Sequence, residues 1–415
     1  MEKPLAEAIH QAAGGIEPRV IAWRRDIHQN PELGNREFRT SKLVEEHLRA
    51  LGLEVRTGVA HTGVIGLLRG DRPGGVVALR ADMDALPVSE EVDLPFASRV
   101  RATYEGNEVG VMHACGHDGH VAILMGVAEI LSRMKDRLTG TVKFIFQPAE
   151  EGAPGGEEGG AELMIKEGAL QDPPPQAIFG LHIGSRFAVG EIGVKSEGAM
   201  ASVDELAIVV RGRQTHGAYP WLGVDPVVVA SQIVLALQTI PSRQVDATIA
   251  PTIVTIGSIH GGVRNNIIPD EVELKGTVRA LDAEMRDELH DRIRRTAEKI
   301  AESAGATAEV RIKRGYPVTF NDPELTLRMI PTLKQVAGDE HVLMVPATLG
   351  GEDFSFFQQQ IPGLFIFVGT RPAGVPPEKA AANHSPLFFV EEKGLVLGVR
   401  VLARLAVDFL EDAPR

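Results

Sequence analysis

Apolar and polar positions along residues 1–197 switch between a helical and a strand period. Phe38, Leu43, Val44, His47 and Leu48 recur at helical spacing, and Leu53–Val55 and Val64–Leu68 then read as strands. Asp71-Arg72-Pro73-Gly74-Gly75 is expected to turn the chain into Val76–Leu79, a short apolar run of the kind that fills a buried strand. Arg80-Ala81-Asp82-Met83-Asp84-Ala85-Leu86-Pro87 follows, placing two carboxylates at the strand end where open α/β sheets bind ligands. Val121, Leu124, Met125, Ala128 and Leu131 restore the helical period over 120–131. Thr141–Phe146 is a further strand, ending in Gln147-Pro148-Ala149-Glu150-Glu151 and a glycine-rich loop over 152–160. Ala177–Ile183 is again strand-like and carries His182 near its end. Helices alternating with buried strands predict an α/β fold with a mainly parallel sheet.

The pattern changes near residue 198. Asp204–Arg211 and Thr252–Ser258 read as strands, and Glu271–Arg279 alternates more clearly. Asp225-Pro226 supplies an N-cap and a proline at the first helical position, opening a helix to about Gln238. Asp282 opens a second, charge-rich helix to about Ala304. A strand at Leu364–Val368 and a helix from about Gly394 to Leu410 return to the first pattern. The expected organisation is therefore one domain made of 1–197 and 314–415, interrupted by a smaller α/β domain over 198–313.

Composition narrows the function classes. The chain has 415 residues, with 43 Lys plus Arg against 56 Asp plus Glu, a formal net charge of −13. Nucleic acid needs clustered positive charge, so it is not an expected partner. A single cysteine excludes an internal disulfide framework. The first 25 residues carry acidic side chains and no continuous apolar segment, so they do not read as a secretory signal. The most apolar stretch, 227–237, is interrupted by Ser231 and Gln232 and is too short to span a bilayer. The expectation is a cytoplasmic protein acting on small molecules, with no membrane partner.

The richest run is Met112-His113-Ala114-Cys115-Gly116-His117-Asp118-Gly119-His120. A thiolate and an imidazole two residues apart can ligate neighbouring metal positions where a loop enters a helix. A lone cysteine is more often a small buried hydrophobe, and a Cys–His pair can also act as a thiol nucleophile. The adjacent acids Glu150-Glu151 are a solvated face in most sequences. After an apolar strand they can instead divide labour, one ligating a metal while the other takes a proton from water. His182 in Gly180-Leu181-His182-Ile183, and His384 in Asn383-His384-Ser385-Pro386, add two more candidate ligands. The run 152–160 lacks the Gly-Lys-Ser/Thr ending of a phosphate loop and reads as a mobile loop beside the site.

In this order the motifs resemble the aminoacylase/carboxypeptidase family of co-catalytic metallopeptidases. The match is to the branch containing hippurate hydrolase and the indole-3-acetyl-amino acid amidohydrolases, and it covers nearly the whole chain. The resemblance implies that Cys115, His117, Glu151, His182 and His384 hold two divalent ions, with Glu150 as general base and Asp84 in support beside the metals. Other branches place a bridging aspartate where Cys115 stands, and the softer thiolate leaves Zn and Mn first, with Co or Ni also admissible. The resemblance makes the larger domain catalytic and the inserted one a lid and dimerisation domain. It also implies that His216, in Thr215-His216-Gly217-Ala218-Tyr219-Pro220, reaches a partner subunit's active site. Asn266 and Arg279 match positions that hold the substrate carboxylate, which suits the bidentate geometry of a guanidinium. Gly350-Gly351-Glu352-Asp353-Phe354 is similar to a substrate-proximal loop of the family.

The implied activity is metal-dependent hydrolysis of the amide bond of N-acyl-L-amino acids of the hippurate type, in a homodimer or homotetramer. A metallo-carboxypeptidase or dipeptidase acting on short peptides is the alternative. A binding protein without turnover and a Cys115 thiol amidase are the remaining readings.

Overall fold

The structure is a computed structural model, and it describes residues 4–412. It divides into two compact units. The first takes the chain up to Glu197, then Phe320–Pro346 and from Phe356 onward; the second is Gly198–Thr319 with Ala347–Ser355.

The first unit is built on an eight-stranded sheet. Its strands in chain order are β1 (Glu54–Val59), β2 (Gly63–Arg69), β3 (Arg72–Asp82), β4 (Thr139–Gln147), β5 (Ala177–Ala188), β6 (Ile192–Val194), β7 (Val342–Met344) and β8 (Gly363–Arg371). They lie side by side as β1-β2-β4-β3-β5-β8-β6-β7. The four central strands β4, β3, β5 and β8 are parallel, while β1, β2 and the β8–β6 pair run antiparallel. The expected α/β class with a mainly parallel sheet is therefore present. Central strands of a parallel sheet are covered on both faces, which explains why β4 carries Val142, Phe144, Ile145 and Phe146 and is buried from Gly140 to Gln147.

The main helices of this unit are α1 (Leu5–Gln29), α2 (Phe38–Ala50), α3 (His117–Ser132), α4 (Pro323–Ala337) and α5 (Leu395–Asp412); α2 to α5 pack on the sheet, and α1 packs on α3 and α5. From His117 to Leu131 every residue of α3 is buried. That burial follows from its nearly unbroken run of Val, Ala, Ile, Leu and Met, which leaves no polar face for water. Among the described residues, no helix is long and apolar enough to cross a membrane.

Strand β3 starts at Arg72, where a turn through Gly75 was expected. The strand absorbs Pro73-Gly74-Gly75 as an irregularity, since the pairing shifts from Arg72–Thr139 to Val76–Thr141. Glycine is required there because a Cβ on Gly74 would lie 2.8 Å from the Gly140 nitrogen, too close for any side chain.

The second unit has a four-stranded antiparallel sheet in the order 252–261, 271–280, 204–211, 307–314. Two helices, Pro226–Arg243 and Ala283–Ser303, accompany it. The Asp225 side chain accepts from the Val227 and Val228 amides, and Asp282 accepts from Met285, so both expected N-caps form. The first helix runs past Gln238 to Arg243. Its core includes Leu206, Ile208, Ile233, Leu237, Leu274, Leu289 and Ile293. The unit extends beyond the expected limit at residue 313 because the strand Thr307–Arg314 pairs along its whole length with 204–211. It also takes in 347–355, where the Ala201 amide donates to the Thr348 and Gly350 carbonyls.

Candidate metal centre

Strand register brings the chemistry of the first unit to one edge. Asp82 lies opposite Gln147 and Arg80 opposite Gly180, so the ends of β3 and β4 are level with His182 on β5. Asp84 follows β3 and Glu150-Glu151 follow β4 at this edge, and α3 begins here. Gly116, the residue before α3, has φ +93°, a conformation that strains any residue with a Cβ. A Cβ on Gly116 or Gly119 would also meet the Ile183 side chain at 2.8 and 2.5 Å, so these glycines let the start of α3 lie against β5. His384 likewise sits at φ +71°, held by its backbone N–H, which donates to the Ala114 carbonyl at 2.7 Å. The neighbouring Asn383 amide donates to the Cys115 carbonyl at 3.0 Å.

Two triads of donor atoms result. Cys115, His117 and His182 have ligand atoms within 4.8 Å of one another, and so do Cys115, Glu151 and His384. Cys115 belongs to both. A third group joins His117 to Glu150 and Glu151, with His117 Nε2 3.9 Å from Glu150. Thus the five expected ligands and the expected base converge, although they come from four stretches of chain.

The hydrogen bonds around these atoms fit a cation. His182 Nδ1 lies 2.7 Å from the Ile183 carbonyl, which makes it the protonated nitrogen and leaves Nε2, 3.3 Å from the Cys115 sulfur, as a lone pair. His117 Nδ1 is 3.1 Å from Asp84, while its buried Nε2 has no hydrogen-bond partner. Asp84 also accepts the Glu151 amide at 3.0 Å, so one carboxylate orients two of the donors. A sulfur, three imidazoles and a carboxylate, with a buried imidazole nitrogen left over, is a donor set for borderline divalent metals.

Protonation reflects the crowding. Burial and the surrounding rings push His182 down to about 3, so it is neutral, the form that ligates. Hydrogen bonds to Cys115 and Glu151 raise His384 to about 10. Burial and the Glu151 charge push the Cys115 thiol up. Burial opposes the charge on His117, but Asp82 and Asp84 hold its pKa well above the ordinary imidazole range.

His120 and Asp82 form a separate buried group with His117. His120 accepts the Ile183 amide at Nε2 and bonds Asp82 through Nδ1, while Asp82 is also paired with Arg80. Those atoms are consumed, so this group braces the centre. Asp118 does the same on the other side of His117, where the Arg24 and His28 side chains bond it and outweigh the effect of burial to keep it ionised.

One supporting residue carried no signal in the sequence. Glu37, fully buried, accepts the Ala149 amide at 2.9 Å and the Thr62 hydroxyl at 2.6 Å. Ala149 has φ +51°, so this bond pins a strained residue next to Glu150. Nothing in Arg36-Glu37-Phe38 separates this acid from a surface one. The loop after Glu151 is itself tethered, because Glu157 is bound by Arg36 at 2.6 Å and by Asn35 at 3.0 Å.

His216, Asn266 and Arg279 lie in the second unit. Thr215-His216 pairs with Ile267-Ile268, and the Gly217 amide donates to the Asn266 carbonyl at 2.8 Å, so His216 and Asn266 are neighbours. His216 is exposed, and its Nδ1 accepts the Ala218 amide at 3.0 Å. Arg279 is half-buried on the strand 271–280, opposite Ile253, and burial lowers its pKa.

Residues 78–408 match the peptidase family M20/M25/M40. The chain is 42% identical over 410 residues to thermostable carboxypeptidase 2 of Saccharolobus solfataricus, covering 98% of this chain and 99% of the relative. It is 38% identical over 403 residues to the IAA-amino acid hydrolase ILR1-like 2 of Arabidopsis thaliana, covering 95% of this chain and 87% of the relative. Among solved structures, the Bacillus subtilis YXEP protein, described as a dinuclear metal binding peptidase of the M20 family, superposes with a TM-score of 0.80 at 35% identity, covering 96% of this chain and 100% of that one.

Proposed function

The chain belongs to peptidase family M20/M25/M40, and from that premise we propose that it cleaves the amide bond of N-acyl-L-amino acids, releasing a carboxylic acid and a free amino acid. The coarser activity, metal-dependent hydrolysis of amide or peptide bonds, is that of the family. The observation that carries the reading is the pair of donor triads sharing Cys115. We assign Cys115, His117 and His182 to one divalent ion and Cys115, Glu151 and His384 to the other, in keeping with the dinuclear relative. Zinc or manganese suits the mixed sulfur, nitrogen and oxygen set, with cobalt or nickel as substitutes. Two divalent ions held by these residues would supply Lewis acidity toward the scissile carbonyl and toward water.

The remaining chemistry falls to side chains. Glu150, buried at 5% exposure beside His117, takes the proton of the attacking water and returns it to the leaving amine. Asp84 fixes His117 and the Glu151 backbone through its two oxygens. In the second unit, Asn266 and the Arg279 guanidinium hold the substrate's α-carboxylate, and His216 stabilises the oxyanion in the active site of a partner copy. The active species is accordingly a homodimer, alone or paired into a homotetramer.

Glu150→Gln tests the assignment. Turnover of N-acyl amino acids should fall by about 1,000-fold or more, while metal content by elemental analysis stays at the wild-type level. Normal turnover in that variant would remove Glu150 from the mechanism. A chelator should abolish activity and added metal restore it, whereas a Cys115 thiol amidase would be indifferent to both.

A further inference from the structure

A cleft apart from the metal centre lies wholly within the first unit, and strand register builds its floor. Arg56 on β1 is opposite Ile65 on β2, and Glu54 is opposite Leu67, which is in turn opposite Lys143 on β4. Directly paired residues share a face, so these five side chains stand on one side of the sheet. Gly66 belongs to the other side, where a Cβ would meet Leu48 of α2 at 2.8 Å. With the five side chains, the loop 168–172 borders a space of about 190 Å³. Lys143 precedes Gln147 by four residues, roughly 13 Å along β4 at the usual strand rise. None of the residues bordering this space belongs to the two donor triads.

The charges here are only partly matched. Lys143 is fully buried, and its ammonium donates to the Ala169 carbonyl at 3.0 Å and to the Gln171 carbonyl, which uses two of its three protons. Arg56 donates to the Glu167 carbonyl. Among the described residues, neither cation forms an ion pair with a carboxylate. Burial and then the Arg56 charge lower the Lys143 pKa to about 8, against the opposing charge of Asp172. Fastening the loop requires only a neutral donor, whereas a buried ammonium beside a guanidinium carries a desolvation cost that a bound carboxylate would offset. The lining also holds two acids. Glu54 is engaged by Arg69 at 2.7 and 3.2 Å. Asp172 is exposed and forms no ion pair among the described residues, which leaves it for a ligand's positive end.

We propose that this cleft is a second ligand site, which takes a free α-amino acid with an aliphatic side chain. The carboxylate lies between Lys143 and Arg56, the ammonium meets Asp172, and the side chain covers Ile65 and Leu67. A space below the ~300 Å³ at which sites for larger ligands begin suits a molecule of this size. Free amino acid is also a product of the proposed reaction, but the inference does not depend on that reaction, because it rests on a different set of residues.

The test is a methyl NMR titration of the metal-loaded full chain, with Ile65 as the local reporter, assigned through Ile65→Val. The probes are L-leucine, 4-methylpentanoate, which lacks the ammonium, 3-methylbutylamine, which lacks the carboxylate, and inorganic phosphate. L-leucine should shift the Ile65 methyl signals saturably, and each of the other three should bind at least about tenfold more weakly. Arg56→Gln and Asp172→Asn change exposed residues and should each weaken L-leucine about tenfold at this reporter, as should Lys143→Met. Absence of a saturable shift overturns the site, and so does L-leucine binding unchanged in both Arg56→Gln and Asp172→Asn. If 4-methylpentanoate or phosphate binds as tightly as L-leucine, the site takes simple anions and the amino-acid assignment is overturned. The readout is binding, so failure of the amidohydrolase reading would leave it intact.

Discussion

At the scale of single residues, the centre is a set of protons waiting to be displaced. His384 is raised to about 10 and the Cys115 thiol is pushed above its usual value, so in the metal-free protein both carry protons at pH 7. Each must lose its proton to bind a cation. The sign follows: affinity falls as pH is lowered, and loading at pH 7 releases protons. Calorimetry in buffers of different ionisation enthalpy should show release of at least about two protons per chain, and none would contradict the assignment of Cys115 and His384. Glu37 acts one step further back. Burial and the Asp84 charge push its carboxyl up to about 8, so at pH 7 it is neutral and glutamine is its near-isostere. Glu37→Gln should keep kcat within about twofold, whereas Glu37→Ala strands the Ala149 amide and should lower kcat about tenfold or more, with metal content retained. Equal losses in the two variants would mean that Glu37 does more than hold the turn. The candidate ligands were legible because Cys, His and Glu stand in ordered motifs. Glu37, Arg24 and His28 were not, because their partners are distant in sequence and an isolated acid or base looks the same on a surface.

At the scale of elements, the site depends on how closely α3 can approach β5. Gly116 has both a left-handed backbone and the Ile183 side chain against its missing Cβ. Gly116→Ala should therefore destabilise the protein by about 1–2 kcal/mol in denaturant unfolding and weaken metal binding, since the residue lies between two ligands. Wild-type stability and affinity would show that this turn is not a constraint. Periodicity predicted the strands and helices well where burial is two-sided or amphipathic, as in β4 and α3. It failed at 72–75, where proline and glycine normally mark turns. There the deciding contact is the close approach of Gly74 and Gly140, which belong to different strands and leave no local trace. The helix Pro226–Arg243 also runs past the expected end near Gln238 and carries Pro241 in its last turn.

At the scale of the whole molecule, the second unit bears exposed apolar side chains on two adjoining features. Val228 and Leu235 project from the helix 226–243, and Ile253 and Ile259 from 252–261, an edge strand of its sheet. An unprotected edge with apolar flanks invites pairing with another chain. The proposed dimer predicts that Leu235→Arg together with Ile259→Lys shifts the protein toward monomer in analytical ultracentrifugation. Activity should fall with it, because His216 would no longer reach a partner copy; an active monomer would remove His216 from the reaction. The sheet of the first unit has a further consequence. Strand β8 inserts between β5 and β6, and the last proposed ligand stands beyond it at residue 384. While the chain is still being synthesised, Cys115, His117 and His182 have already emerged, but the neighbour of β5 and the histidine that completes the second triad are still to come. The two proposed triads are thus completed by different stretches of chain, the first by residues that precede β8 and the second only by a residue that follows it.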